Sequence, residues 1–193
     1  GVEEGTCVGP PLGLVALILT VHDHWSSQRD ASWNLPENRE LVDDEVLAST
    51  QRIDIVEDGD VAVTIQPDAR ERWVIAQMYG MPADQSRLNR FIRELRENEL
   101  VRFVTRKKEK AGDLGIGNTV LRFSDGEGET LAELKVGESG ATGGRFVQRM
   151  AEPETYLSAF EGALEADPFR WTAKQVTSFT PAQIKSVTVS WAS

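Results

Sequence analysis

His22-Asp23-His24 is the only place in the sequence where histidines and a carboxylate stand together as a transition-metal ligand set would require. Residues i and i+2 share one face of a strand, but two further ligands would have to come from elsewhere in the chain. A polar turn therefore explains these residues better than a metal site. Because both histidines precede the predicted folded body, we predict neither histidine-assisted catalysis nor a metal centre.

A glycine-rich segment, Gly137–Gly144, approaches two catalytic motifs without completing either. It contains a serine between glycines, but Ala141 replaces the last glycine of a nucleophile elbow and no histidine follows it. A phosphate-binding loop would need Lys-Ser/Thr where Arg145 stands, and would open a helix. We therefore predict a flexible turn between two strands that is a candidate contact for a partner, with no catalytic residue and no cofactor.

Acidic residues cluster at Asp43–Glu45 and at Glu57–Asp60. Neither cluster has the twelve-residue loop and terminal glutamate of a calcium site, so turn chemistry and a solvated surface account for both. A carboxylate-based enzyme is the least favoured alternative because no paired acids stand in a defined context. We predict that the chain is not an enzyme.

Basic residues concentrate between Arg87 and Lys110, where nine of them face only four acidic residues. Four arginines recur every third residue, which places them as a stripe along one side of a helix that could meet anionic lipid headgroups or an acidic protein. The competing interpretation is a solvent face with the ion pairs Arg90–Glu94 and Arg93–Glu97. The candidate partner-binding residues are Arg87, Arg90, Arg93, Arg96, Arg106, Lys107 and Lys108.

Composition limits the class of protein. The chain has 193 residues, 40% of them hydrophobic, which is enough for one full domain or two small ones. Its net charge of −10 argues against a general nucleic-acid binder, since phosphate contacts need an excess of cations. A single cysteine excludes an internal disulfide.

The predicted secondary structure consists mainly of short strands and one long helix. Apolar alternation predicts hairpins over 52–65, around Asp58-Gly59, and over 119–136, around Asp125–Gly128. Apolar residues at Leu88, Phe91, Ile92 and Leu95 predict a helix over about 84–99. Further strands are predicted at 72–75, 100–105, 145–149, 154–157 and 184–191, a charged loop at 106–113 and a short helix at 158–164. The predicted fold is α+β: a meander of antiparallel hairpins, one long amphipathic helix and one or two short helices.

Leu12–Val21 is a ten-residue apolar run, half the length that a bilayer-spanning helix needs. It fits the outer half of a truncated membrane anchor or signal helix, or a buried segment of the fold. We predict three regions: an anchor-like segment over 1–21, a polar spacer over 22–50, and an α+β domain over 51–193 that could divide into subdomains 51–113 and 114–193. Trp25 and Trp33 then suit a membrane interface, whereas Trp73 and Trp171 suit the core.

The sequence contains a series of short motifs in this order: Trp33–Pro36, Arg72–Ile75, Met81–Asp84, Leu114–Ile116, Leu134–Gly137, Arg145–Arg149, Thr155–Leu157, Asp167–Trp171 and Pro181–Val189. The series resembles a bacterial domain-of-unknown-function family, which is also found in auxiliary components of gliding-motility-type ABC transporters. The resemblance implies a protein held in the cytoplasmic membrane by one N-terminal helix, with its body in the periplasm. It implies no catalytic residues.

Two functions remain as expectations. The first is a non-catalytic, membrane-tethered periplasmic interaction or accessory module that serves an ABC-type transporter or a cell-envelope assembly, with a protein partner. The second is a soluble binding domain that holds a small or polymeric envelope ligand in a groove between sheet and helix.

Overall fold

The computed structural model describes residues 35–162 and 164–174. In these ranges nine antiparallel strands form one sheet, accompanied by a few helices, so the antiparallel sheet and the α+β class are confirmed. The strands are β1 Arg52–Glu57, β2 Asp60–Pro67, β3 Trp73–Ile75, β4 Met81–Pro82, β5 Leu100–Thr105, β6 Thr119–Ser124, β7 Thr130–Ser139, β8 Arg145–Arg149 and β9 Thr155–Ser158. The helices are α1 Asp44–Ser49, α2 Gln85–Glu97 and α3 Lys108–Asp113, with 3-10 turns at Ala76–Met78 and Pro168–Trp171.

The strand order is β4-β3-β2-β1-β6-β7-β8-β9-β5. Two meanders, β1 to β4 and β6 to β9, are joined where β1 pairs with β6, and β5 closes the far edge against β9. Strands from 51–113 and from 114–193 therefore share one hydrogen-bonded sheet.

Both predicted hairpins are present. Asp58 and Gly59 have φ values of +50° and +92°, the left-handed pair that a tight two-residue turn requires, and Glu57 pairs with Asp60 across it. The second hairpin pairs β6 with β7 around Asp125–Gly128. In each hairpin one extra residue, Ala62 in β2 and Leu131 in β7, shifts the register by one between the turn and the buried pairs, as a β-bulge does.

One face of the sheet carries the core. Ile53 and Ile55 of β1 lie opposite Ile65 and Val63 of β2 and opposite Phe123 and Leu121 of β6, and all six side chains are buried. Helix α2 supplies Leu88, Phe91 and Leu95 to this core, each burial contributing about 1.5–3 kcal/mol before conformational entropy is counted.

Phe91 packs helix α2 against residues near the end of the described chain. Its ring makes edge-to-face contacts with Phe160 at 6.4 Å and with Trp171 at 5.3 Å between centroids. Trp171 is buried, as predicted, whereas Trp73 is half-buried at the margin of the core.

The end of the 22–50 region packs on the folded body. Leu41 and Val42 are buried in the core, and Glu40 forms a bridge with Glu99. Arg149 of β8 fastens this segment, because its guanidinium donates to the backbone carbonyls of Asn38 and Glu40 at 3.1 and 3.0 Å.

Three local predictions are wrong. The charged loop at 106–113 contains helix α3, which buries Ala111 and is joined to β7 where the Glu138 amide donates to the Leu114 carbonyl. The helix predicted at 158–164 is absent from 158–162 and 164, because Ser158 completes β9 and Phe160 is drawn into the core. The turn predicted at 137–144 is shorter, since β7 continues to Ser139.

Candidate functional site

A groove of about 710 Å³ lies between helices α1 and α2 and is closed below by the starts of β1 and β3. Its apolar lining is formed by Leu47, Ile53, Trp73, Leu88 and Ile92. Its polar lining is formed by Asp44, Thr50, Gln85, Asn89, Arg93, Arg96 and Glu97. The volume lies within the range of about 300–1,000 Å³ that is usual for ligand pockets.

Helix α2 presents a continuous face to the groove. Its lining positions follow the three- and four-residue steps that place side chains on one side of a helix, from Gln85 through Ile92 to Arg96. The helix begins where the Asp84 carboxylate accepts a hydrogen bond from the Arg87 amide at 3.1 Å. Burial of Leu88 and Leu95 fixes the rotation of α2, so that Arg93 and Arg96 stand at the rim.

Helix α1 forms the opposite wall and is held at its N-terminal end. Before it, Arg149 binds the backbone of residues 38–40. Across the groove, the Arg96 guanidinium donates to both carboxylate oxygens of Asp44, at 2.8 and 3.1 Å. This hydrogen bonding lowers the pKa of Asp44 and raises the pKa of Arg96, which keeps both groups ionised.

The four arginines of α2 have different roles. Arg87 pairs with Glu165 at 2.8 Å and lies over the Trp171 ring at 4.8 Å, so it joins α2 to the 164–171 segment. Arg96 is paired with Asp44. Within residues 35–162 and 164–174, neither Arg90 nor Arg93 forms an ion pair, and only Arg93 of these two lines the groove.

The predicted ion pairs Arg90–Glu94 and Arg93–Glu97 are therefore wrong for the described part of the chain. The Glu94 carboxylate instead lies over Gly162, where a Cβ atom would come within 2.8 Å of its Oε2. The contact is possible because Gly162 has no side chain, a long-range fact that the helix sequence does not contain.

The remaining basic candidates lie elsewhere. Arg106, Lys107 and Lys108 follow β5, whose six residues span about 20 Å. Arg106 pairs with Glu154 at 3.0 Å, and the Lys107 amide donates to the Thr105 hydroxyl at 3.0 Å. The structure thus divides the predicted basic face into a helix part beside the groove and a second part at the end of an edge strand.

The glycine-rich segment also lies outside the groove lining. Its turn is built from backbone hydrogen bonds between Gly140 and Gly144 and between Gly143 and Gly140. The Glu161 carboxylate accepts from the Gly144 amide at 3.2 Å.

A buried polar cluster that sequence reasoning missed lies on the other face of the sheet. Asp54 is only 3% exposed and accepts hydrogen bonds from the Thr64 hydroxyl at 2.6 Å and from Arg52 at 2.9 Å. The Gln77 carbonyl oxygen accepts from the Thr64 amide at 2.8 Å. Each buried polar group has a partner, so the cluster has a structural role. Strand alternation places Asp54 on this face, but its burial depends on residues of three different elements.

His22, His24, Leu12–Val21, Trp25, Trp33 and the predicted strand 184–191 lie outside the described residues. Within the described ranges, no three His, Cys, Asp or Glu side chains are grouped as metal ligands. None of the helices found there combines the length and the apolar character that a membrane crossing demands.

Residues 73–193 match a protein family described as a domain of unknown function, DUF4340. The match covers more than half of the chain, which therefore belongs to this family. The predicted resemblance is confirmed at the level of a bacterial domain of unknown function. No curated protein and no solved structure gives a match.

Proposed function

We propose that this chain is a non-catalytic interaction module of the bacterial cell envelope, and that the groove between α1 and α2 receives a segment of a partner protein. In this proposal Leu12–Val21 is the outer half of a tether in the cytoplasmic membrane and the folded body lies in the periplasm. The partner belongs to an ABC-type transporter or another envelope assembly. Helix α2 serves as the amphipathic helix of the fold, with its inner side in the core and its rim offered to the partner.

The observation that carries the proposal is the composition of the groove. Five apolar side chains line it, and Arg93 stands at its rim without an ion-pair partner in the described part of the chain. Apolar lining beside a guanidinium that no described carboxylate pairs with suits a segment that presents apolar side chains and a carboxylate. Membrane attachment is supported separately, by the apolar run and by the family resemblance.

The test uses site-specific crosslinking in intact cells that express the complete gene. A photoreactive residue at Asn89 points the probe at the groove, and one at Arg90 is the matched control on the same helix outside the groove lining. We expect the position-89 probe to capture a transporter or envelope subunit, identified by mass spectrometry. Arg93→Glu should suppress this product, whereas Arg90→Glu should not.

Equal capture from positions 89 and 90, or capture that survives Arg93→Glu, would show that the groove is not the partner site. The tether is tested independently by alkaline extraction of membranes. Release of the complete protein into the soluble fraction would contradict attachment through Leu12–Val21 and leave the groove result standing.

The second candidate is a binding domain for a small or polymeric envelope ligand, and the position of the groove favours it. The groove lies between helix α2 and the strands that carry Ile53 and Trp73, and its volume suits a small molecule. A thermal-shift screen against glycans, metal ions and anionic lipids separates the candidates. A ligand at a hundred times its Kd should stabilise the fold by about 2.7 kcal/mol. An Arg93-dependent shift with a glycan would favour this candidate over a protein partner.

A further inference from the structure

Two aromatic side chains project from neighbouring turns at the β4 edge of the sheet. Tyr79 is fully exposed and Phe169 is 63% exposed. Tyr79 follows the 3-10 turn Ala76–Met78, and Phe169 lies within the 3-10 turn Pro168–Trp171. The two turns are in contact. The groove lining does not include either residue.

The Tyr79 ring is displayed from a strained backbone. Tyr79 has φ +54° and ψ +32°, the left-handed conformation that bulky side chains rarely adopt, and Gly80 continues it at φ +74°. The Gly80 amide donates to the Ile75 carbonyl at 3.1 Å, which closes the turn. Strain retained at an exposed aromatic residue points to a use for that side chain.

The Phe169 ring is displayed from a turn that is anchored at both ends. The Asp167 carboxylate accepts from the Phe169 amide at 3.0 Å, and Pro168 begins the turn. Trp171 is buried in the core and its indole N–H donates to the Glu165 carbonyl at 2.8 Å. Phe169 is therefore held outward by a rigid support.

Two exposed cations follow Phe169 in the chain, and two acidic residues that precede it form contacts within the described residues. The Arg170 side chain is 64% exposed, and Lys174 is also exposed. Glu165 pairs with Arg87 at 2.8 Å and lies 3.9 Å from Arg170, and Asp167 caps the turn. Exposed aromatic rings together with exposed cations have the chemistry of groups that lie in the headgroup region of an anionic bilayer.

We propose that Tyr79 and Phe169 insert into the headgroup region of an anionic membrane, with Arg170 at the lipid phosphates. Because the rings project from convex turns, a deformable bilayer can receive them without a pre-shaped pocket. This contact would fix how the folded body lies against the membrane. It is independent of the groove and goes beyond the proposed function, which assigns no residue of the folded body to lipid.

The experiment places one environment-sensitive fluorophore at a time on the full chain, with Cys7→Ser as background. The labelled variants are Tyr79→Cys and Phe169→Cys. The matched control is Met150→Cys, an exposed apolar site beside β8, five strands and about 24 Å from β3. The probes are vesicles of phosphatidylethanolamine with phosphatidylglycerol, vesicles of phosphatidylcholine alone, and inorganic phosphate. Melting temperatures confirm that each variant is folded.

We expect a blue shift at positions 79 and 169 on the anionic vesicles, none at position 150, and none with inorganic phosphate. Arg170→Glu should weaken the signal at position 169 severalfold. The proposal would be overturned if the fluorophores at positions 79 and 169 kept the emission of an aqueous environment on anionic vesicles, whether or not the chain floats with the vesicles. Equal blue shifts at positions 79, 150 and 169 would also overturn the proposal. A shift that needs native membranes and is absent on pure lipid would assign the rings to a protein partner instead.

Discussion

Gly144 shows how one backbone position can determine the path of two strands. It has φ +75°, and a Cβ atom there would overlap the carbonyl oxygen of Ser158 at the end of β9. Its amide is also bound by Glu161. Glycine is therefore required at position 144 both because φ is positive and because there is no space for a Cβ atom.

Gly144→Ala should destabilise the fold by at least about 3 kcal/mol, since the backbones of β8 and β9 would have to separate. Gly128→Ala is the matched control, because Gly128 has φ +87° but open space around it, and should cost only about 1–2 kcal/mol. Urea unfolding of the two variants measures the difference. Equal losses would mean that the steric contact with Ser158 has no effect.

Asp68 is a second residue whose environment can be tested. Its carboxylate accepts hydrogen bonds from the Arg72 amide, which has the larger effect on its pKa, and from the Arg72 guanidinium. Together they lower the pKa of Asp68 from 3.8 to about 2. A lowered pKa means that the ionised carboxylate stabilises the fold above pH 3.8 and that this contribution is lost as the pH falls through about 2.

Arg72→Ala should raise the pKa of Asp68 only part of the way, because the amides of residues 70 and 72 continue to donate. A carboxyl NMR titration measures this directly. A pKa that returns fully to its usual value would show that the guanidinium, and not the backbone, is the main cause.

At the scale of elements, helix α1 is short and none of its side chains is fully buried. Its position depends on contacts of the residues that precede it: Leu41 and Val42 lie in the core, and Arg149 binds the backbone of residues 38–40. The Arg149 side chain is only 16% exposed and also pairs with Glu152. One wall of the groove is therefore held by a residue more than 100 positions away in the chain.

Arg149→Ala should destabilise the fold by about 1.5–3 kcal/mol, the range for hydrogen bonds to a charged group. It should also accelerate hydrogen exchange at the Leu47 amide, which is bonded to the Asp43 carbonyl in α1. Arg106→Ala is the control, since Arg106 pairs with Glu154 in an exposed setting worth about 0–1 kcal/mol. Unchanged exchange at Leu47 in Arg149→Ala would show that α1 is held by other contacts.

At the scale of the whole molecule, the sheet is continuous from β4 to β5. Among the described strands, the two at the edges are poor templates for further pairing: β4 has two residues including Pro82, and β5 pairs irregularly with β9. The β1–β6 pairing joins the 51–113 and 114–193 halves through a six-residue register. We expect the two halves to unfold as one cooperative unit.

Leu121→Ala, at a fully buried position of β6, should lower the free energy of unfolding by about 2–5 kcal/mol. Hydrogen exchange should then accelerate together in β2 and in β8. The exposed Val101→Ala is a control that should leave both nearly unchanged. Faster exchange in only one half would mean that 51–113 and 114–193 are separate subdomains.

Elements whose signals are local could be predicted from the sequence alone. Asp58-Gly59 with its flanking alternation specified the first hairpin, and Asp84 with the spacing of Leu88, Phe91 and Leu95 specified α2. In both, the residues that carry the signal are those that make the turn, the cap or the buried face. Local residue types and the periodicity of apolar residues were therefore enough to predict this hairpin and this helix.

Features that depend on distant residues became visible only in the folded chain. These include the entry of β5 beside β9, the loss of the predicted helix where Phe160 is buried, and the separation of Arg93 from its paired neighbours. The groove exists because Arg149 and Arg96 hold α1 against α2 across long stretches of chain. Such contacts form when the sheet closes, and their energy depends on which strands become neighbours. Local sequence patterns therefore do not predict which strands become neighbours.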